Sequence, residues 1–252
     1  MKGTVVIKLS GKALGAEAQL RALFAAVKGT PLVVVHGGGV EVDALFKALN
    51  LKVEKLNGLR VSPREQMPYI SAALCGQCNK RVQALAIKSG LNAVGLLASD
   101  GGTLDVSMLD PKLGMVGRPA PRSGDFLNSL LKAGITPVLC SLCMDAQGDL
   151  YNVNADDAAA AVAALLKAPL YFLSDVKGVL GKDGQLIESL DAQKVAALTA
   201  DGTVTEGMAV KVRSALDAAK QTSCPVYIGS VFDPDLASAI AQRRRLGTAC
   251  LN

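Results

Sequence analysis

The chain reads as an α/β protein: a three-layer αβα sandwich around a mainly parallel central sheet, with β-hairpins inserted beside it. Three observations predict this. Short apolar runs alternate with longer helical patterns along most of the chain, the signature of βαβ units. Within those runs the apolar residues are continuous, so both faces of the sheet must be covered, as in a parallel sheet. Half of the 252 residues are hydrophobic and only 19% are charged, so a large core can be filled. With no Trp and few other aromatics, that core must be built from Ala, Val and Leu.

The first run, TVVIKL at 4–9, reads as a buried strand with one lysine, Lys8, inside it. A lysine is rarely kept in such a strand unless its ammonium meets an anion. Ser10 and Gly11 then lead into a loop expected to carry free N–H groups. A helical pattern over about 16–28 is followed by the strand PLVVVH at 31–36, then by Gly37, Gly38 and Gly39, then by a helical pattern over 39–49. Glycines placed directly after a strand let the backbone come very close to something, and N–H groups at a strand-to-helix turn form an anion site. On this reading a Cβ at Gly38 would intrude.

A long helical pattern over 63–89 leads to the strand NAVGLL at 92–97. Residues 99–122 and 143–153 are rich in Gly, Pro and alternation and read as hairpins beside the main sheet, separated by a helix at 123–133 and a strand at 135–142. Asn154 is a good N-cap for a helix over 155–167, with Asp157 three residues on; Asn152 and Asp156 are left unexplained by that cap. Strands at 169–175 and 224–230 and helices at 191–200 and 206–222 complete the pattern. Lys211 falls inside the last helix, and its spacing alone reads as a surface lysine. In open α/β sheets ligands bind at the carboxyl ends of strands, which sets the loops after the first two strands facing each other. Two lobes sharing one sheet are expected, one over about 1–155 and the other over about 156–252.

Several function classes are disfavoured. The dinucleotide pattern G-x-G-x-x-G needs a glycine at 42, where Val42 stands. A Walker A loop is absent: around Gly11-Lys12, Val6 occupies the leading glycine position and Ala13 the Ser/Thr position. A net charge of +5 is too mild for a nucleic-acid binder and suits a small anionic substrate. The run Arg243 to Arg245 ends a helical pattern, where positive charge suits the helix dipole. No run approaches the ~20 apolar residues of a membrane span. The opening MKGTVVIKLSGKAL is too short and interrupted for a signal peptide, so a cytoplasmic enzyme is expected.

Two C-x-x-C pairs, Cys75/Cys78 and Cys140/Cys143, could in principle make a four-thiolate zinc site. The pairs lie 62 residues apart, one in a helical pattern and one in an apolar run. They read as small buried residues in a reducing compartment, with no metal site expected. His36 reads as a strand-end residue tied by hydrogen bonds beside the glycines.

Taken together, VIKLSG, VVVHGGG, NGLRV, YNVNAD, LSDVKGVL and GMAVKV, in this order from residue 5 to 212, resemble the amino-acid kinase superfamily and, within it, the acetylglutamate kinase family. HGGG followed by NGLRV and then NVNAD is the specific part, and the terminal LGTAC resembles the family's closing strand. The first loop departs from the family: Ser10 stands where a first glycine is usual, as in the opening of uridylate kinases, with its N–H still available. The resemblance implies ATP-dependent phosphorylation of the γ-carboxylate of N-acetyl-L-glutamate, with Mg2+ held mainly by the nucleotide phosphates. It implies that Gly38 and Gly39 donate N–H groups to N-acetylglutamate, that Gly11 and Gly38 reach the phosphate, that Arg60 pairs with the α-carboxylate and that Asn152 fixes the same substrate. Lys8 and Lys211 would flank the phosphoryl group, with Asp156 orienting both. Asp175, Val176, Lys177, Gly178, Val179 and Leu180, with Thr203, Val204 and Thr205, would hold ATP.

Arginine-inhibited members of the family carry an extra N-terminal helix that builds a hexamer. This chain opens almost on its first strand, so the resemblance implies a homodimer without that control. The rivals are an aminoadipate-type kinase, a uridylate kinase and a non-catalytic nucleotide sensor. NGLRV with NVNAD argues against the uridylate kinase, and Lys8, Lys211 and Asp156 together argue against the sensor.

Overall fold

The computed structural model describes residues 3–56, 58–204 and 206–251; Thr205, one of the expected ATP contacts, and Asn57 of NGLRV lie outside the described residues. In chain order the strands are β1 (Val5–Leu9), β2 (Leu32–His36), β3 (Lys55–Leu56), β4 (Leu59–Arg60), β5 (Asn92–Leu97), β6 (Leu104–Met108), β7 (Val116–Pro121), β8 (Ile135–Cys140), β9 (Leu142–Met144), β10 (Leu150–Val153), β11 (Leu170–Ser174), β12 (Ser189–Leu190), β13 (Val226–Ser230) and β14 (Thr248–Cys250). The central sheet runs β12-β14-β13-β11-β1-β2-β8-β5. Every pairing in it is parallel except β13 with β14.

β1 lies between β2 and β11, and Leu9 is level with both His36 and Leu173. The three strands therefore end together, and the chain after each of them opens on one edge of the sheet. Alternation along β1 divides its side chains between two cores. Val5, Ile7 and Leu9 pack on one side with helices Glu17–Ala26 and Asn79–Lys88. Val6 packs on the other with helices Ala155–Leu166 and Glu206–Thr222. Lys8 shares the face of Val6, so its side chain runs out along the helix that begins at Ala155. That helix is nearly all alanine on its buried side, Ala158 to Ala161 and Ala163 being buried, which lets it lie close to the sheet.

Four differences from the sequence pattern follow from tertiary packing. The helical stretch at 63–89 is one continuous rod of mixed winding: a 3-10 turn at Arg64–Gln66, α-helix at Met67–Ser71, a π-helical segment at Ala72–Cys78 and α-helix again at Asn79–Lys88. The run at 135–142 breaks at Ser141, so Leu142 begins β9 in a second sheet. The two hairpins are joined by parallel pairing of β7 with β10 into one four-stranded sheet, β6-β7-β10-β9. Leu59 and Arg60 of NGLRV pair with Leu56 and Lys55 in a short β3–β4 hairpin, an element that periodicity over so few residues does not reveal.

A further correction concerns the first loop. Residues Gly11–Leu14 form a helical turn rather than an open loop, and the Ser10 hydroxyl accepts its cap bond from the Ala13 N–H at 3.3 Å. The Ser10 backbone, at φ −75° and ψ 165°, is extended and accommodates a side chain without strain. Its N–H, expected to be available, is taken by the Leu173 carbonyl at 3.0 Å as the last rung between β1 and β11.

The glycine run after β2 is required first of all by packing. A Cβ on Gly38 would lie 2.7 Å from Leu74 Cδ2 and 3.3 Å from Cys78 Sγ of the π-helical segment, whereas a Cβ on Gly39 would meet nothing within 4 Å. Gly38 is thus small because a helix presses on it, and Gly39 faces open space. Gly38→Ala should cost about 1–3 kcal/mol of stability by overpacking. Urea unfolding should show that most of this cost disappears in a Leu74→Ala background. Equal costs in both backgrounds would show that Leu74 is not the obstacle.

Candidate active site

Two cavities adjoin at the carboxyl ends of β1, β2 and β11. The larger, about 260 Å³, is bounded by the glycine turn, the β3–β4 hairpin and the stretch from Asn152 to Ala155, with Leu74 and Val116 as apolar walls. The smaller, about 60 Å³, is lined by Lys8, Ser10, Asp156, Ser174 and Lys211 among others. Gly11 and the glycine turn abut: a Cβ on Gly11 would lie 3.3 Å from Val40 Cγ2. The structure therefore brings Gly38, Gly39, Arg60 and Asn152 to one cavity and Lys8, Asp156 and Lys211 to the other.

Lys8 finds its anion in Asp156, with Nζ 2.6 Å from Oδ1. The carboxylate is held by local chain geometry. Asn154 caps helix Ala155–Leu166, its Oδ1 accepting from the Asp156 N–H at 2.7 Å and the Asp157 N–H at 3.4 Å. That places Asp156 in the first helical turn, where the dipole favours negative charge. Lys211, which spacing assigns to the surface, lines the same cavity. Among the described residues it is in no ion pair, and its charge instead helps hold the Asp175 carboxyl below its usual range; the larger cause there is the hydrogen bond from Lys12, 2.6 Å away. Three cations, Lys8, Lys12 and Lys211, thus alternate with two carboxylates along the edge of the sheet.

Arg60 is carried by β4 and is nearly buried. Its guanidinium lies 5.4 Å above the Phe46 ring, and its Nη2 pairs with Asp43 and donates to the Gly39 carbonyl at 3.4 Å. Asp43 also reaches Lys55 at 3.6 Å, tying the hairpin to helix Gly39–Ala48. Arg60 Nη1 is buried with no partner. A buried guanidinium nitrogen without an acceptor calls for one, and a carboxylate entering the cleft would supply it. Since Asp43 already engages Nη2, such a ligand would be met by the other side of the fork. Asn152, on β10, donates through Nδ2 to the Ser62 hydroxyl at 3.1 Å, and Ser62 in turn donates to the Arg60 carbonyl at 3.2 Å. Asp43, Phe46 and Ser62 support the cleft residues, and no sequence signal marks them.

His36 is fully buried and makes the hydrogen bonds expected of a strand-end residue. Its Nδ1 lies 2.6 Å from the Gly37 carbonyl and its Nε2 3.0 Å from Asn79 Nδ2. Burial pulls its pKa from 6.5 to about 4. Cys78 and Cys143 are buried, and burial raises both thiols to about 12. One member of each C-x-x-C pair meets the other: the hydrogen bond between them holds Cys75 below the usual thiol range and pushes Cys140 up. All six thiols are free.

The stretch 175–180 is locked onto β14. The Val179 N–H donates to Thr248 Oγ1 at 2.8 Å, and Gly178, at φ +147°, takes a conformation suited to glycine where a Cβ would press on Leu186 and Thr248. Thr203 is fixed by Asp201 through its N–H at 2.9 Å, and Asp201 also pairs at 3.3 Å with Lys182, two residues beyond Leu180. Val179 and Val204 are buried while Leu180 is exposed.

With this geometry in hand, comparison with known proteins is specific. The profile of the Amino acid kinase family matches residues 3–230. An acetylglutamate kinase from Serratia proteamaculans (strain 568) is 48% identical over 253 residues, covering 98% of each chain. A protein of known structure from Streptococcus mutans UA159 superposes with a TM-score of 0.81 at 28% identity, over 100% of this chain and 99% of that one. Carbamate kinase from Giardia lamblia, bound to AMP-PNP, shares the fold with a TM-score of 0.69 at 16% identity, over 99% of this chain and 98% of that one. The chain belongs to the amino acid kinase family and, within it, to the acetylglutamate kinase branch.

Proposed function

We propose that the chain transfers the γ-phosphoryl group of ATP to the γ-carboxylate of N-acetyl-L-glutamate, giving ADP and N-acetyl-L-glutamyl 5-phosphate, the second step of arginine biosynthesis. The observation that carries this reading is the pairing of two unlike anion sites. One cavity holds a buried arginine with a free nitrogen; the adjoining one holds two lysines and a carboxylate. The first suits an acceptor with an anchoring carboxylate, and the second suits a phosphoryl group.

The acceptor γ-carboxylate has an intrinsic pKa of about 4.3 and is ionised at neutral pH, so no general base is needed. This agrees with a chain whose single histidine is buried with both ring nitrogens engaged. The barrier is the approach of one anion to another, and catalysis is then positioning and charge stabilisation. In this reading Arg60 takes the α-carboxylate, Asn152 fixes the same substrate, and Gly38 and Gly39 donate N–H groups. Lys8 and Lys211 flank the phosphoryl group, Gly11 and Gly38 meet its oxygens, and Asp156 holds Lys8 in place. Residues 175–180 and 203–205 hold ATP, and Mg2+ is carried mainly by the nucleotide phosphates. The acceptor belongs to the lobe over about 1–155 and the nucleotide to the lobe over about 156–252. Among the described residues no helix is long and apolar enough to cross a membrane, and we place the enzyme in the cytoplasm as a homodimer.

The test is ADP release from Mg-ATP with N-acetylglutamate, glutamate, aspartate, α-aminoadipate and UMP as acceptors, with hydroxylamine trapping any acyl phosphate. Turnover with N-acetylglutamate and formation of its hydroxamate are expected; turnover confined to another acceptor would overturn the reading. Lys8→Met should lower kcat by about 10²–10³. Arg60→Lys keeps the charge but loses the planar fork, and should raise KM for N-acetylglutamate about 10–100-fold while leaving KM for ATP unchanged. Sedimentation should give the mass of two chains, and a hexamer would contradict the dimer.

A further inference from the structure

The chain's single histidine has no part in the proposed chemistry, yet it lies buried at the end of β2 immediately before the glycine turn. Its protonation can be deduced from its partners. Asn79 Nδ2 lies 2.8 Å from the Val138 carbonyl, which only accepts, so the atom there must be the amide nitrogen. The same NH₂ group is 3.0 Å from His36 Nε2, which must therefore accept and carry no proton. The ring proton then sits on Nδ1 and is donated to the Gly37 carbonyl at 2.6 Å. Cys78 Sγ, 3.4 Å away, donates to the same oxygen.

The Gly37–Gly38 peptide is planar and trans, so its carbonyl and its N–H point in opposite directions. With the carbonyl drawn into the protein, the Gly38 N–H is turned outward, and the cleft it borders is the one lined by Gly37, Gly38 and Gly39. Resting on the proposed function above, we propose that Asn79 and His36 are positioning residues: they aim the Gly38 N–H at the acceptor, and they do so only while His36 is neutral. A proton on Nε2 would face the Asn79 NH₂. Turning Asn79 over would set its Oδ1 against the Val138 carbonyl, so neither orientation satisfies a charged ring.

The groups around the ring fit this arrangement. Glu41 on helix Gly39–Ala48 and Arg81 on helix Asn79–Lys88 act on the ring with opposite sign and pair with each other at 2.6 Å. The Cys78 thiol lies 3.6 Å from Nδ1. On the flanking strands, Leu9 of β1 and Cys140 of β8 are level with His36.

A lone histidine makes the test direct. Two-bond 1H–15N spectra of the untagged, 15N-labelled protein at pH 6 should show a neutral ring with its proton on Nδ1. An Nε2–H tautomer or a charged ring would overturn the inference. Asn79→Asp places a carboxylate against Nε2 and should leave His36 charged at pH 6. That carboxylate satisfies the charged ring, whose Nδ1–H stays on the Gly37 carbonyl, so the acid limb of kcat/KM for N-acetylglutamate, followed as hydroxamate, should lie at lower pH and fall less steeply than in the unsubstituted enzyme. The substrate titrates identically with both enzymes, so the difference belongs to the protein. A charged His36 with an unshifted acid limb would also overturn the inference. Asn79→Leu, which cannot orient the ring, should lower kcat/KM about tenfold at pH 7.5 and leave KM for ATP unchanged. The expected tautomer without phosphorylation of any acceptor would sink the proposed function instead.

Discussion

A lysine inside a parallel strand needs an anion, and much of this structure is arranged to provide one. Lys8 stands between apolar neighbours on β1, and Asp156 meets it at 2.6 Å from the head of the helix packed on that face. Removing either partner would leave a largely buried charge uncompensated, which is far more costly than the pair itself is stabilising. The requirement reaches outward. Asp156 must start a helix, so Asn154 caps it; the helix must lie close to the sheet, so its inner face is mostly alanine, with Val162 and Leu166. Because the pair sits at the carboxyl edge of the sheet, it remains open enough to be shared with a ligand.

The larger cavity is organised around a second cation. Arg60 sits on a two-residue strand, too short to hold it rigidly by itself. It is stiffened by the Phe46 ring beneath it, by Asp43 at one nitrogen and, through Ser62, by the chain to Asn152. What these contacts leave unused is Nη1, the atom that the proposed function assigns to the acceptor's carboxylate. The glycine turn between the two cations is held from behind by the π-helical segment. Leu74 presses against Gly38, and Cys78 and His36 share the Gly37 carbonyl. Leu74 and Cys78, four residues apart on this segment, meet Gly38 from one face of it.

The cysteines belong to the same contact. The two C-x-x-C pairs are far apart in the chain, but the π-helical segment and the end of β8 bring Cys75 against Cys140. The residues beside them, Leu74 and Ser141, both line the larger cavity. Cys78, Cys140 and Cys143 serve as small buried packing groups, and the partly exposed Cys75 meets Cys140 at their edge.

Determined by the sequence alone were the features that depend on neighbours along the chain. Continuous apolar runs mark the long strands because burial on both faces leaves no room for alternation. Asn154 marks a helix start because the cap bond spans only two or three residues, and Lys8 announces an unpaired charge in a strand. Only the tertiary structure decided the features that depend on distant partners. Lys211 looks like a surface residue along its helix and becomes a cavity residue because that helix packs against β13 and the helix Ala155–Leu166. The Ser10 N–H looks free until β11 arrives to accept it. The β3–β4 hairpin is too short for its periodicity to speak, and the partners Asp43, Phe46, Ser62 and Asn79 carry no local signal. The reason is the same in each case: a hydrogen bond or ion pair between residues far apart in sequence leaves no trace in either segment's own pattern.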